Sequence, residues 1–378
     1  MAAENDLLTS TWTGEEIAQQ PAVWRATARV VEERRADVDR LLAAALADPR
    51  TRVLLTGAGT SAFAGEVVAP DLSRQLGRRV EAVATTDLVS GPEAVLAGDH
   101  PVLLVSFARS GNSPESVAAA EIVDALAPAV HHLVITCNAD GELARRFSAA
   151  GNAVVVTLPP ASNDRGFAMT SSFTSMALAT LLCFGHPVDV DALAEAGTAV
   201  LAGVVDLATA VATTAPRRLV YLGSGPLKGL AHESALKCLE LTAGGTLALG
   251  DSSLAFRHGP KAVLDDATFA VVYLSGEAYT RSYDEDIAAE LVASLGAGRV
   301  AVVDAEAPTA GATAWRVPRP AGWSDAAWAL VAVLPAQVTA LACSVAAGLT
   351  PDNPFPGGEV NRVVQGVVIH PLPARGQA

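Results

Sequence analysis

The stretch HESALKCLE, residues 232–240, combines two glutamates and a lysine at helical spacing. Glu233, Lys237 and Glu240 occupy positions i, i+4 and i+7, so a helix would carry all three side chains on one face. A glutamate four residues before a lysine often forms a simple surface ion pair, and that interpretation needs no chemistry. However, apolar residues flank the stretch on both sides, and a carboxylate beside a lysine in a cleft is a candidate acid–base pair.

Two loops rich in glycine and hydroxyl groups could bind a phosphate. Each follows an apolar run and precedes a helix-length segment, as in RVLLTGAGTS and PVLLVSFARSGNS. Backbone N–H groups at such a helix start, together with hydroxyl groups, form a cradle for an anion. The candidate phosphate ligands are Gly59, Thr60, Ser61, Arg109, Ser110, Asn112 and Ser113. The alternative is that both loops are ordinary strand-to-helix turns, in which glycine and serine are common.

The first loop also loosely matches the dinucleotide-binding fingerprint G-x-G-x-x-G/A, as GAGTSA. In that fingerprint an acidic residue closes the second strand, whereas Glu81 opens the second strand of this sequence. The corresponding loop of the second half, GSGPLK, does not repeat the pattern. We therefore expect no nicotinamide cofactor, and the spacing of the cysteines and histidines does not predict a metal site.

Two further polar segments are less specific. His258 stands before Gly259-Pro260 in FRHGPK, but a single histidine is usually structural. The segment SNDRGFAMTSSFTSM, residues 162–176, follows an apolar run and is either a binding loop or a long turn. Neither segment establishes a function by itself.

Short apolar runs alternate with helix-length segments along most of the chain, which is typical of a parallel sheet covered by helices on both faces. The pattern starts at TRVLLTGAGTS and starts again at RRLVYLGSGPLK, with Gly57 and Gly223 in matching positions. The sequence therefore predicts an α/β fold with two copies of one unit. We place an N-terminal helical segment, broken near Gln20-Pro21, at residues 1–48, the first unit at 49–210, and the second unit with the C-terminal tail at 211–378.

The composition is typical of an ordered globular chain, since 51% of the 378 residues are hydrophobic, and the net charge is −14. This charge argues against a nucleic-acid partner, because no basic stripe is available to neutralise phosphates. The apolar runs predict no transmembrane helix, and the acidic N-terminus does not resemble a signal peptide. Four widely spaced cysteines fit reduced thiols, so we expect a cytoplasmic protein without a membrane partner.

Taken together, these motifs resemble the sugar isomerase (SIS) superfamily. Six segments are similar to its tagatose-6-phosphate ketose/aldose isomerase group, also described as galactosamine-6-phosphate deaminases: GAGTS, RSGNSPES, SNDRGFAMTSSFTSM, SGPLKGLAHESALKCLELTAG, FRHGPK and DNPFPGGEVNRVVQG. The resemblance covers nearly the whole chain. It implies two SIS-type three-layer αβα domains, each with a mainly parallel sheet, preceded by N-terminal helices.

The resemblance also implies an activity. The enzyme would convert an amino-sugar 6-phosphate, galactosamine-6-phosphate, into tagatose-6-phosphate and ammonia without a metal or organic cofactor. Glu240 would move a proton between C2 and C1 with Lys237 beside it, and His258 would assist ring opening. The two hydroxyl-rich loops would bind the phosphate.

Several alternatives stay open in the sequence. A plain aldose–ketose isomerase of neutral 6-phosphosugars and a non-catalytic sugar-phosphate sensor fit the same family, although a sensor would not need Glu240 and His258. No residue spacing distinguishes a galacto from a gluco substrate. The resemblance implies a tail lysine where Gln365 aligns, and sites completed across subunits. We therefore expect a homodimer or higher oligomer that binds a small sugar phosphate.

Overall fold

The computed structural model describes residues 7–306 and 311–372. Three helices form the N-terminal segment: α1 Trp12–Ala18, α2 Gln20–Glu33 and α3 Arg35–Ala45. The Thr11 hydroxyl accepts a hydrogen bond from the Gly14 N–H and caps α1. Pro21 stands in the first turn of α2, where its missing N–H costs no hydrogen bond. The break therefore lies where the sequence predicts it, and a second break at Arg34 separates α2 from α3.

The first repeat is built on a five-stranded parallel sheet. Its strands are β1 Arg52–Gly57, β2 Val80–Ala84, β3 Val102–Ala108, β4 Val130–Thr136 and β5 Ala153–Thr157. They lie in the order β2-β1-β3-β4-β5, and all pairs are parallel. The helices are α4 Thr60–Leu76, α5 Thr85–Ser90, α6 Pro92–Val95, α7 Pro114–Leu126, α8 Glu142–Phe147 and α9 Ser171–Cys183. All of β3 is buried, as expected for a central strand covered on both faces.

The second repeat has the same topology. Its strands are β6 Arg218–Leu222, β7 Leu247–Asp251, β8 Thr268–Tyr273, β9 Val300–Asp304 and β10 Thr313–Arg316. They lie in the order β10-β9-β8-β6-β7, which is the order of the first sheet read from the other edge. Helices α10 Val190–Leu201 and α11 Val204–Thr213 lie between the two sheets in the chain. The helices that follow β6 are α12 Pro226–Leu241, α13 Ala278–Leu295, α14 Asp325–Ala332 and α15 Leu334–Ala346. The predicted parallel α/β fold with two copies of one unit is confirmed. The unit boundaries at 48 and 210 stay predictions, and residues 1–6 and 373–378 lie outside the described part.

The two repeats share one hydrophobic core. Helix α12 of the second repeat packs against α4 of the first repeat and against α15, and the core includes Trp24, Leu55, Leu227 and Trp328. Helices α14 and α15 form an apolar stretch of 22 residues, long enough to span a bilayer, although the sequence predicts no such stretch. Its most apolar window is 89% buried inside the protein, as in the core helix of a globular fold.

The C-terminal tail, residues 349–372, crosses back to the N-terminal part of the chain as an irregular segment. The Asp352 carboxylate accepts hydrogen bonds from the N–H and the hydroxyl of Thr13, both at 2.8 Å. Farther along, the Arg362 guanidinium donates to the Asp164 carbonyl oxygen, and Leu372 packs on the first sheet. The tail therefore contacts the first repeat close to the carboxyl ends of its strands.

Candidate active site

The start of helix α4 forms the first candidate phosphate loop. Gly59 has φ 55° and ψ −126°, a conformation that residues with a side chain avoid. A Cβ atom on Gly57 would lie 2.5 Å from the Ser61 Cβ atom, so this position also requires glycine. Thr60 and Ser61 follow in the first turn of α4, and both are buried. The sequence GAGTS thus folds into a tight turn whose hydroxyl residues stand at a helix N-terminus.

The same turn occurs at the start of α12, where Gly225 has φ 58° and ψ −127°. We expect Gly59→Ala and Gly225→Ala to lower the free energy of unfolding by similar amounts, about 1–3 kcal/mol, because both force alanine into a disfavoured conformation. Only Gly59→Ala is expected to raise the KM for a phosphosugar substrate, since only its turn belongs to the candidate site. Urea unfolding and initial-rate kinetics measure the two effects. A KM raised equally in both variants would contradict the assignment of the loop.

Helix α12 directs the predicted acid–base face toward the start of α4. The Lys237 Nζ atom donates to the Thr60 Oγ1 atom at 2.9 Å and to the Glu240 Oε2 atom at 2.5 Å. The Glu233 Oε1 atom lies 3.5 Å from the same Nζ atom. The side chains of Glu233 and Lys237 are fully buried, whereas that of Glu240 is 23% exposed. The ion pair is therefore not on the surface, and Glu240 is the member of the cluster that a substrate can reach.

Burial sets the protonation of this cluster. It raises the pKa of Glu233 to about 8 against the opposing charge of Lys237, and repulsion from Glu240 acts in the same direction as burial. Burial also acts to lower the pKa of Lys237, but the charges of Glu233 and Glu240 outweigh it and raise this pKa. The lysine is therefore protonated at neutral pH, and Glu233 can hold a proton there. Such coupled groups, with one member partly exposed, are suited to proton transfer.

The second candidate loop, residues 109–113, is fixed by helix α8 and by its own helix α7. The Asn112 Oδ1 atom accepts the first N–H of α8 at 2.9 Å, and the Ser110 carbonyl accepts a hydrogen bond from the Asn138 Nδ2 atom at 2.8 Å. Ser113 stands at the N-cap of α7, but its hydroxyl pairs with the Ser116 hydroxyl at 2.6 Å instead of capping the helix. The Asn112 side chain therefore holds the loop in place, and the hydroxyls of Ser110 and Ser113 are its groups for an anion.

Arg109 contacts the backbone on both sides of the site. Its guanidinium donates to the Phe167 carbonyl at 3.1 Å and to the Arg362 carbonyl at 2.8 Å. The side chain is buried and forms no ion pair with the described residues. Burial lowers its pKa, and the charge of Arg362 acts in the same direction. A buried cation without a paired carboxylate is a favourable neighbour for a bound anion.

The structure does not bring His258 to this cluster. The residue ends the short 3₁₀ turn Ala255–His258, is exposed, and makes no hydrogen bond or ion pair with the described residues. Gln365, at the position where the resemblance implies a tail lysine, is also exposed. Ser61 lies beside the cluster, and its hydroxyl contacts the Met176 sulfur at 3.8 Å. The assembled part of the predicted site is therefore Thr60, Lys237 and Glu240, with Glu233 behind them.

Two residues that sequence reasoning missed complete the surroundings. Asp164 accepts hydrogen bonds from the N–H groups of Thr170, Ser171 and Ser172 at 2.9–3.0 Å, which makes SNDRGF a capped turn before α9. Arg362 is the tail cation that reaches the first repeat. An aspartate six to eight residues before a run of Thr and Ser is a weak signal for such a cap. Arg362 lies in the tail motif DNPFPGGEVNRVVQG, but nothing in that motif indicates its contact with the first repeat.

Two repeated αβα units with hydroxyl-rich loops at the strand ends define a SIS-type protein, and the SIS domain family model matches residues 45–184. Over 367 residues the chain is 56% identical to AgaS of Streptomyces coelicolor, with 95% of each chain covered. It is 44% identical to the D-galactosamine-6-phosphate deaminase AgaS of Escherichia coli over 374 residues, with 97% of each chain covered.

A solved structure agrees with these relatives. Tagatose-6-phosphate ketose/aldose isomerase from Escherichia coli superimposes with a TM-score of 0.90 at 42% identity, covering 97% of this chain and 98% of that one. The chain therefore belongs to the SIS superfamily, in the group of tagatose-6-phosphate ketose/aldose isomerases and galactosamine-6-phosphate deaminases, as its motifs predict. It is an enzyme that acts on phosphosugars.

Proposed function

We propose that the protein is a deaminase/isomerase that converts galactosamine-6-phosphate into tagatose-6-phosphate and ammonia. The observation that carries the proposal is the pair of hydrogen bonds from Lys237 to Thr60 and Glu240, which joins the candidate phosphate loop to the candidate base. The name of the Escherichia coli deaminase supports this choice of substrate. A phosphate held at the start of α4 would orient C1 and C2 of the sugar beside Glu240.

In the proposed reaction Glu240 removes the proton from C2 of the open-chain amino sugar and delivers it to C1. The C1 carbonyl becomes a hydroxyl group through a cis-enolamine, and C2 becomes a ketimine. Water then adds to C2, ammonia leaves, and the ketose phosphate is formed, so the second half of the reaction is a hydrolysis. The reaction needs proton transfers and one water molecule, whose oxygen replaces the nitrogen at C2, and no cofactor is part of the proposal.

We assign ring opening to His258, which would act in the active site of a neighbouring copy of the chain. Within one chain His258 is exposed and unpaired among the described residues, so a neighbouring copy would receive it. The proposal therefore includes a homodimer or higher oligomer, located in the cytoplasm and with no nucleic-acid or membrane partner.

A plain aldose–ketose isomerase of neutral 6-phosphosugars is the second candidate, because the solved relative bears the name of a tagatose-6-phosphate ketose/aldose isomerase. It would use the same proton transfer without releasing ammonia. A non-catalytic sensor is disfavoured, since it would have no use for Glu240 held beside a buried lysine.

An ammonia-release assay with galactosamine-6-phosphate and glucosamine-6-phosphate, with ketose phosphate followed in parallel, tests the proposal. We expect ammonia and ketose phosphate in equal amounts from the galacto substrate, with a lower kcat/KM for the gluco substrate. Interconversion of neutral 6-phosphosugars without ammonia release would establish the plain isomerase instead. Sugar-phosphate binding without either reaction would establish the sensor.

A further inference from the structure

The second repeat contains the structural counterpart of the candidate phosphate site. Helix α12 follows β6 through a glycine turn with the same backbone angles as the turn before α4. The loop after β8 reads SGE, residues 275–277, where the loop after β3 reads RSGN, residues 109–112. Both repeats therefore present a serine- and glycine-containing cradle at the carboxyl ends of matching strands.

In the second repeat a carboxylate of the chain itself fills this cradle. The Asp284 Oδ1 atom accepts the Ser224 hydroxyl at 2.6 Å and the Ser253 hydroxyl at 2.5 Å, and the Oδ2 atom accepts the Ser275 N–H at 3.1 Å. These three donors follow β6, β7 and β8, so the ends of three strands converge on one buried anion. Asp325 accepts the Ser275 hydroxyl at 2.5 Å and the Gly276 N–H at 2.8 Å. The groups that would bind a phosphate are thus already saturated.

The first repeat has small residues where the second repeat has these aspartates. Asp284 is the seventh residue of α13, and the seventh residue of α7 is the buried Ala120. Asp325 is the first residue of α14, and the first residue of the corresponding helix α9 is Ser171. The first repeat therefore has no carboxylate at these two positions, and its buried Asp164 instead accepts the N–H groups at the start of α9.

Two matching positions of helices α4 and α12 carry opposite charges. Counted from the glycine at the helix start, Lys237 of α12 corresponds to Asp71 of α4, and Glu240 corresponds to Arg74. The Asp71 carboxylate accepts the Ala326 N–H at 3.0 Å, so it serves as a contact to α14. The loop at 275–277 has no arginine in the place of Arg109. The arginine at this cradle is Arg319, which follows β10, pairs with Asp325 at 3.2 Å and donates to the Leu274 carbonyl at 2.8 Å. An acid–base pair for a second reaction is therefore missing at this position.

We propose that the second repeat retains the anion cradle of the fold but supplies its own anion, Asp284 supported by Asp325, so that each chain binds one sugar phosphate, at the first repeat. The cradle of the second repeat is a structural element that joins three strand ends, and its helix α12 contributes acid–base residues to the first cradle. The number of sites is measured with galactosamine-6-phosphate, so this part of the inference rests on the proposed function.

Chemical rescue tests the internal anion without using activity. We expect Asp284→Ala to lower Tm by roughly 5 °C, because several buried donors lose their acceptor. Sodium formate, compared with sodium chloride at equal ionic strength, is expected to restore a large part of that loss in Asp284→Ala. Asp286→Ala, which removes an exposed aspartate two residues later in the same helix, is the matched control and is expected to show neither effect. Equal responses to formate in both variants would overturn the proposal.

A binding titration tests the number of sites. The Glu240→Gln chain, which we expect to be inactive, should bind one equivalent of galactosamine-6-phosphate per chain by calorimetry, with the same stoichiometry after Ser275→Ala is added. Two equivalents per chain, with one lost on Ser275→Ala, would refute the single site. Absence of any binding would contradict the proposed function instead, and the formate experiment would still decide on the internal anion. If Asp284→Ala fails to fold, the isosteric variant Asp284→Asn replaces it. We then expect a larger decrease in Tm for Asp284→Asn than for Asp286→Asn.

Discussion

Replacement of Glu240 by glutamine is expected to lower kcat for galactosamine-6-phosphate by about 10²–10⁴-fold, the usual contribution of a general base. Glutamine keeps the shape of the side chain but does not accept a proton. Of the two carboxylates beside Lys237, that of Glu233 is fully buried and only that of Glu240 is partly exposed, so no second carboxylate of this cluster can replace it. Steady-state kinetics with ketose phosphate as the product measure the loss.

Loss of the base should affect proton transfer more than binding. With substrate deuterated at C2, the Glu240→Gln enzyme is expected to release almost no deuterium to solvent, while KM changes by less than about 10-fold. Glu66→Gln is the matched control, because Glu66 is also partly exposed at the contact between α4 and α12, where its carboxylate pairs with His232 at 2.6 Å. Wild-type turnover in Glu240→Gln would show that the base lies elsewhere, and equal losses in both variants would point to a general disturbance of the helix contact.

The fold was predictable because its signals are local. Apolar runs bounded by glycine turns mark the strand-to-helix connections of both repeats, and the positive φ values of Gly59 and Gly225 are the physical reason for glycine there. The similarity of GAG and GSG indicates the duplication before any coordinates are seen. The break at Pro21 is local as well.

The burial of the site residues and the residues that they contact depend on tertiary packing, so they could not be predicted from the sequence. Helical spacing places Glu233 and Glu240 on one face, but the packing of α12 against α4 determines that one is fully buried and the other partly exposed. The Lys237 contact with Thr60 joins residues 177 positions apart, and Arg109 reaches the Arg362 carbonyl across 253 positions. The periodicity of a sequence gives no information about contacts between residues so far apart along the chain.

The filled cradle of the second repeat illustrates the same limit. The serines of GSG and SGE give the second repeat the composition of an anion site, and sequence similarity to the first repeat would favour a second ligand. Asp284 lies two turns into the following helix, so its role becomes visible only when α13 is packed on the sheet. Repeated motifs therefore predict a repeated fold more reliably than a repeated function.

Replacement of Lys237 by methionine is expected to lower the free energy of unfolding by about 3–5 kcal/mol above pH 8, where Glu233 of the wild type is ionised, because it leaves this buried carboxylate without its counter-charge. Methionine fills a similar volume, so the loss of packing is small. Among the described residues only Lys237 forms an ion pair with Glu233, and neither Glu233 oxygen accepts a hydrogen bond. Urea unfolding of the wild type and the variant at pH 9, above the pKa of about 8 of folded Glu233, measures the difference.

A double replacement separates the charge effect from packing. In Glu233→Gln/Lys237→Met both charges are gone, so we expect it to recover more than half of the loss seen in Lys237→Met. The variant Glu66→Gln/Lys237→Met keeps the Glu233 charge and is expected to recover nothing. If both double variants are as unstable as Lys237→Met, the loss comes from the packing of the lysine chain and not from an isolated carboxylate.

The pH dependence of the same variants gives an independent check. Burial raises the pKa of folded Glu233 to about 8 from an ordinary value of 4.5, so the folded state holds a proton that the unfolded state has released. The contribution of this proton to the free energy of unfolding is complete below pH 4.5 and is lost as pH rises toward 8. Without Lys237, whose charge opposes this rise, the pKa of Glu233 moves further up, so the wild type and Lys237→Met should lose stability in parallel up to about pH 8. Above pH 8 only Lys237→Met continues to lose stability, and its deficit should grow there. Because glutamine does not titrate, this growth should vanish in Glu233→Gln/Lys237→Met, and a growth that persists there would locate the titrating group outside the cluster.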